Sequence, residues 1–140
     1  MKSKIEYRGA CLCGAVQVAA KANDRSVEAC HCTMCRKWSG GPRLAVECET
    51  AVEFEGAEYI STFASSDWAE RGFCRNCGTH LFYRLKSEKH YAIPVGLLTG
   101  TGSWKLTKQI FIEQKPEFYS FSQSTENLTG EEVFAAYTGK

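Results

Sequence analysis

The sequence predicts a mainly β domain with a short C-terminal helix. Three observations carry the prediction: short runs rich in β-branched and aromatic residues, glycines that punctuate those runs, and a helical signature near the end of the chain.

In chain order the strand candidates begin with Ala15–Ala20, where Val16 and Val18 flank Gln17, and Val27–Cys32, where Val27 and Ala29 flank Glu28. Leu44–Cys48 and Val52–Phe54 continue the alternation of apolar with polar residues, and Tyr59–Phe63 supplies Tyr, Ile, Thr and Phe. Leu81–Leu85, Tyr91–Val95 and Gln109–Glu113 complete the set. A helical turn is expected from Arg36 to Ser39, ended by Gly40-Gly41-Pro42. The stronger helix is Gly130–Tyr137: Thr129 and Glu132 have capping-box spacing, and Val133, Phe134 and Tyr137 recur at helical intervals.

A chain of 140 residues without repeats or a proline-rich linker is expected to form a single domain, residues 1–140. Hydrophobic residues at 44% and charged residues at 24% exclude a disordered or fibrous chain. The net charge is +1 with the cations scattered, which leaves no footprint for nucleic acid or an anionic membrane. The first residues are basic but precede no apolar stretch, and no run approaches the ~20 residues of a spanning helix. The expected location is therefore the cytoplasm, where reduced cysteines bind metal or react in preference to forming disulfides.

Eight cysteines fall into three groups and a singleton: Cys11 and Cys13; Cys30, Cys32 and Cys35; Cys74 and Cys77; and Cys48. A C-x-x-C turn lets two thiolates reach one zinc at ~2.3 Å, and Gly78 after Cys77 suits such a turn. In a strand, residues two apart share a face, so Cys11 and Cys13 are expected to converge on one ion, and Cys30 and Cys32 likewise. The segment Cys30-His31-Cys32-Thr33-Met34-Cys35 then offers three local thiolates. The other two groups offer four, a complete tetrahedral site built from distant segments. Closed four-thiolate sites hold folds together, whereas three protein ligands keep a position for water or substrate. A competing possibility is that both sites are structural and that His31, His80 or a carboxylate completes the second tetrahedron. Strand alternation turns the His31 ring away from its cysteine neighbours, and Cys48 reads as a buried small hydrophobe.

Three motifs now carry a resemblance: Gly9-Ala10-Cys11-Leu12-Cys13-Gly14-Ala15-Val16, then Cys30-His31-Cys32-Thr33-Met34-Cys35-Arg36-Lys37 with Gly40, then Arg71-Gly72-Phe73-Cys74-Arg75-Asn76-Cys77-Gly78-Thr79. From about Gly9 to Arg84, with a looser echo to Glu113, the chain resembles the glutathione-dependent formaldehyde-activating enzyme family. The resemblance implies a β-tent fold of short antiparallel strands around zinc, related to that of methionine-R-sulfoxide reductases. It also implies two zinc ions: a structural one on Cys11, Cys13, Cys74 and Cys77, and a catalytic one on Cys30, Cys32 and Cys35. The implied activity is that of a carbon–sulfur lyase or synthase, adding glutathione to formaldehyde to give S-hydroxymethylglutathione. The chain is shorter than the founding enzyme. It also carries Gln109 where many relatives have histidine, and Phe118 and Tyr119 near a position often held by tryptophan, so the substrate does not transfer with the motifs.

Zinc in a three-thiolate cup favours the ionised form of an incoming thiol, and most of the binding energy must come from the thiol carrier because formaldehyde is so small. Arg36, Lys37, Arg71 and Arg75 stand beside ligands and can meet carboxylates, or can simply offset thiolate charge. Ser66, with Ser65, echoes a serine pair of similar sequences and is a second candidate for substrate binding; turn formation is its plainer role. His80 is the candidate proton carrier, and Trp38 and Trp68 wall the pocket or belong to the core. The expected partner is a small thiol such as glutathione, with neither nucleic acid nor membrane. The alternatives are a non-catalytic zinc-stabilised module that binds a ligand or protein, and a methionine sulfoxide reductase, for which Cys48 is the only spare redox cysteine.

Overall fold

The computed structural model describes residues 4–99 and 103–138, and strands dominate it. The chain forms two compact units: Met1–Arg25 with Ala45–Ser103, and Ser26–Leu44 with Trp104–Lys140.

In the first unit, β1 (Ile5–Ala10), β2 (Gln17–Ala22), β5 (Val52–Glu55) and β10 (Leu98–Thr99) form a sheet in the order β10-β1-β2-β5, with every pairing antiparallel. The alternation in β2 predicts its face correctly: Val18, Ala20 and Ala22 are buried, while Gln17 and Lys21 are exposed. A second antiparallel run pairs β6 (Ile60–Phe63) with β7 (Ala69–Cys74), β7 with β8 (His80–Leu85), and β8 with β9 (His90–Pro94). It ends on β4 (Arg43–Glu49), which belongs to this unit from Ala45 onward. Val16, Val46, Leu81 and Ile93 are among its most deeply buried side chains. Removing such aliphatic surface from water drives the assembly of these short strands, at about 25 cal/mol per Å².

In the second unit, β11 (Lys105–Ile110) lies between β3 (Ser26–Cys30) and β12 (Glu126–Leu128) and is parallel to both. These two parallel pairings stand beside the antiparallel ones of the first unit, which match the expected short antiparallel strands. Parallel neighbours need a crossover of a dozen or more residues. The chain between Cys30 and Lys105 provides one, and the chain between Ile110 and Glu126 the other. The expected strand Gln109–Glu113 is displaced toward the N-terminus, because Phe111 takes a left-handed backbone (φ 54°) and a 3-10 turn, Ile112–Gln114, follows.

Helix α1 (Thr33–Ser39) starts three residues before the expected turn, so it carries Cys35, and it ends at Gly40. Helix α2 (Gly130–Thr138) opens as anticipated: Thr129 N–H donates to Glu132 Oε1 at 2.9 Å, and Glu132 N–H donates to Thr129 Oγ1 at 3.1 Å. This reciprocal cap satisfies two of the donors that a helix start leaves bare. The side chain of Tyr137 lies outside the described residues. The core of this unit is Cys30, Cys32, Cys35 and Ile110, with Phe111, Leu128 and Val133 packed against it. Among the described residues no helix is long and apolar enough to cross a membrane.

Candidate metal centres

Each unit holds one of the two cysteine clusters. Cys11, Cys13, Cys74 and Cys77 lie in the first, with their sulfurs all within 4.8 Å of one another. The sequence expectation put Cys11 and Cys13 on one strand face. They instead sit just past β1 in a turn closed by Gly14 N–H on the Cys11 carbonyl at 3.0 Å, with Gly14 at φ 80° and Leu12 between them 91% exposed. Cys74 ends β7, and the turn it opens closes with Gly78 N–H on the Cys74 carbonyl at 2.7 Å, with Gly78 at φ 79°. Both positive φ values lie where a side chain is costly, which is why glycine follows each pair.

The spacing fits a metal. Tetrahedral coordination with bonds of ~2.3 Å puts sulfurs ~3.8 Å apart. Cys11 and Cys13 are 3.6 Å apart, and Cys13 and Cys74 are 3.7 Å apart. Thr79, which closes the third motif without an expected role, supports the cluster: its hydroxyl lies 3.2 Å from Cys77 Sγ and accepts the Leu12 N–H at 3.1 Å. The Thr79 hydroxyl, followed by its backbone N–H, holds the Cys77 thiol down at about 5. The signal for Thr79 was present in Cys77-Gly78-Thr79, two residues beyond a ligand.

Cys30, Cys32 and Cys35 form the second cluster, again within 4.8 Å, and all three are buried. Here too a strand-face expectation is corrected. β3 ends at Cys30, and Cys32 caps α1 with its sulfur, accepting the Cys35 N–H at 3.3 Å. A strand-to-helix junction aims the three sulfurs together because the first turn of the helix brings Cys35 back over Cys32. Without a cation the crowding penalises charge. Hydrogen bonding with Cys32 and Cys35, and then burial, raise the Cys30 thiol, with Arg43 opposing the rise. Arg43 is 8% exposed and bonded to Glu28 Oε1 at 3.0 Å, a buried cation that the sequence pattern did not single out. A divalent ion would supply the charge that lets three adjacent thiolates coexist.

His31 is fully buried and does not join the three-cysteine group. Nδ1 lies 2.8 Å from the Tyr119 hydroxyl, and Nε2 lies 2.8 Å from Gln109 Oε1. Burial, ahead of any other cause, pushes its pKa down. Arg36 is held beside it, with Nε donating to the His31 carbonyl at 2.9 Å. Arg36 and Lys37 line a cleft of about 250 Å³ with Thr33, Gly40, Gly41 and Phe118.

Ser66, Arg71 and His80 belong to the unit of the four-cysteine cluster. There Arg71 is 2% exposed, with Nε donating to Ser65 Oγ at 3.0 Å and its guanidinium 5.1 Å from the Tyr83 ring centroid. Among the described residues the buried Ser66 Oγ has no hydrogen-bond partner, and the His80 pKa is pushed down by burial and then by Arg71. Arg75 sits over the Tyr59 ring at 5.5 Å. Cys48 is buried, as expected for a small hydrophobe, and burial drives its thiol up to about 12.

An uncharacterized lyase of Schizosaccharomyces pombe is 36% identical over 129 residues, covering 91% of this chain and 94% of that protein. The crystal structure of a Rhodobacter sphaeroides protein superposes with a TM-score of 0.59 at 25% identity, covering 68% of this chain and 90% of that one. The model of the family described as glutathione-dependent formaldehyde-activating enzyme matches residues 6–114. That span contains all seven clustered cysteines in both units, and the chain belongs to the glutathione-dependent formaldehyde-activating enzyme family.

Proposed function

We propose that the chain is a zinc-dependent carbon–sulfur lyase, working in either direction on the adduct of a small thiol with an aldehyde, with glutathione and formaldehyde as the reference pair. The observation that carries the reading is the inequality of the two clusters: four cysteines in one, three in the other, and among the described residues no further Cys, His, Asp or Glu joining the three. The family and the lyase named among its relatives support the reaction class. Because the family match spans residues of both units, we take the chain as one functional domain. Its eight free cysteines fit a reducing, cytoplasmic setting.

In this reading Cys11, Cys13, Cys74 and Cys77 hold a structural zinc, and Cys30, Cys32 and Cys35 hold a catalytic one. Bound in the cup, zinc supplies the positive charge that favours the ionised form of a thiol at neutral pH. In the forward direction the sulfur forms a bond to the carbonyl carbon, and the thiol proton ends on the carbonyl oxygen; the reverse direction breaks that carbon–sulfur bond. Arg36 and Lys37, on the cup's own helix, attract a carboxylate of the thiol carrier into their cleft. The bond from Arg36 Nε to the His31 carbonyl orients its guanidinium for this. We assign Ser66 and Arg71 to carrier binding and His80 to proton movement; Arg71 opens the third motif, His80 directly follows it, and Ser66 belongs to the Ser65-Ser66 pair that echoes similar sequences.

Exchange NMR of glutathione and formaldehyde with the purified protein tests the reading. Wild type is expected to interconvert thiol and adduct faster than the spontaneous background, and Cys32→Ser is expected not to. Background rates with both proteins would overturn the glutathione–formaldehyde assignment and leave a metal-stabilised binding module.

A further inference from the structure

Behind the three-cysteine junction runs a chain of hydrogen bonds that the proposed reaction does not use. His31 Nε2 faces Gln109 Oε1, Gln109 Nε2 donates to Thr125 Oγ1 at 2.9 Å, and the Thr125 hydroxyl donates to Asn127 Oδ1 at 2.6 Å. These bonds fix the protons in order. Thr125 directs its hydrogen to Asn127, so it meets Gln109 as an acceptor, which turns the Gln109 amide NH₂ toward Thr125 and the carbonyl oxygen toward His31. A carbonyl oxygen can only accept, so Nε2 carries the ring proton. Nδ1 is then the acceptor, and the Tyr119 hydroxyl donates to it. Both ring nitrogens are occupied within the protein.

The object held by this chain is the segment 115–121. Lys115 Nζ gathers it by donating to the carbonyls of Pro116 and Tyr119 and to the Ser120 hydroxyl. Tyr119 stacks on His31 with ring centroids 5.5 Å apart, and Phe118 meets Tyr119 edge-on at 4.9 Å. Phe118 is 80% exposed yet lines the cleft of Arg36 and Lys37. A phenyl ring this exposed gains little from burial, so its place is set through its neighbour.

We infer that His31 is a positioning residue: in the Nε2–H form imposed by Gln109, it captures the Tyr119 hydroxyl and so sets Phe118 as the apolar wall of the Arg36–Lys37 cleft. The cleft then fits an anionic thiol peptide, with a carboxylate at the cations and the carrier's backbone or methylenes against the ring. Gln109 is the specificity-setting partner, because an acceptor at its position dictates which nitrogen of His31 faces Tyr119. This inference rests on the proposed role of the cleft as the thiol-carrier site.

Two measurements on the metal-loaded protein test it. Long-range ¹⁵N–¹H NMR should show a ring proton on His31 Nε2; a ring that carries its proton on Nδ1 alone would overturn the hydrogen-bond order. Tyr119→Phe, which removes one hydroxyl, should raise KM for glutathione about fivefold, the share of one neutral hydrogen bond. Metal content and kcat should match wild type, and far-UV circular dichroism would establish that the variant is folded. If wild type binds glutathione and the variant binds it equally well, the positioning role is wrong. If wild type does not bind glutathione at all, the cleft reading fails with it, while the His31 tautomer still decides the proton order independently.

Discussion

The two cysteine clusters use the same ligand in opposite ways. The four-cysteine cluster joins segments 61 residues apart in sequence, Cys13 to Cys74, and each half is a short turn closed on glycine. The three-cysteine cluster lies within six consecutive residues at a strand-to-helix junction and needs no distant partner. Closing a long loop costs chain entropy, which a complete tetrahedron offsets. A local cup fixes little of the chain and can leave a coordination position open. The same contrast appears in the thiols: Thr79 holds Cys77 down to about 5, whereas sulfur neighbours and burial raise Cys30. The thiols of the four-cysteine cluster divide, with burial raising Cys74 while Cys77 is lowered, whereas in the three-cysteine cluster Cys30 and Cys32 are both raised.

The largest effect that separates them should come from single serine substitutions. Cys74→Ser should release one metal and destabilise the chain by several kcal/mol, roughly 10–20 °C in Tm for this size. Cys35→Ser should release the other metal and abolish exchange, with a smaller fall of roughly 2–8 °C from a buried hydroxyl and a lost ion. Equal thermal losses, read by calorimetry, would break the contrast between a fold-holding and a chemical site.

A smaller effect should follow from Thr79→Val, which keeps the shape and removes the hydroxyl that supports Cys77 and Leu12. A cost of about 1–2 kcal/mol is expected, with faster chelator extraction of metal from the four-cysteine site alone. Faster extraction from both sites would show that the two are not independent.

The smallest effect concerns Cys48, which belongs to neither cluster and serves as the internal control. Burial raises its folded thiol from 9.0 to about 12. The unfolded chain therefore ionises first as pH rises, so the stability linked to this group is full below about 9 and is lost between about 9 and 12. Denaturant titrations of wild type and Cys48→Ala across that window should converge as pH rises; a constant difference would contradict the shift.

Much of this contrast was legible in the sequence because ligand spacing is local information. C-x-C, C-x-x-C and the Cys30–Cys35 run name the cysteines that cluster whatever the backbone does, and Thr129 with Glu132 names the start of α2. The geometry that brings the sulfurs together was not legible. Strand alternation and a turn both place residues two apart within reach of one ion, and only the hydrogen bonds of Gly14 and of Cys32 tell them apart. The parallel pairings of β11 were hidden because they depend on long crossovers. The β7 segment, Ala-Glu-Arg-Gly-Phe-Cys, shows no alternation and becomes a strand through its neighbours β6 and β8. The bonds of His31 escaped for the same reason, since Gln109 and Tyr119 lie 78 and 88 residues away.

Cadmium-113 NMR of the protein loaded with that metal would test most directly whether one site is closed and the other open. Two resonances are predicted, one at the position of four thiolates and unmoved by glutathione, the other shifting as glutathione is added and absent in Cys32→Ser. A single resonance, or two that both ignore the thiol, would contradict an open three-cysteine site.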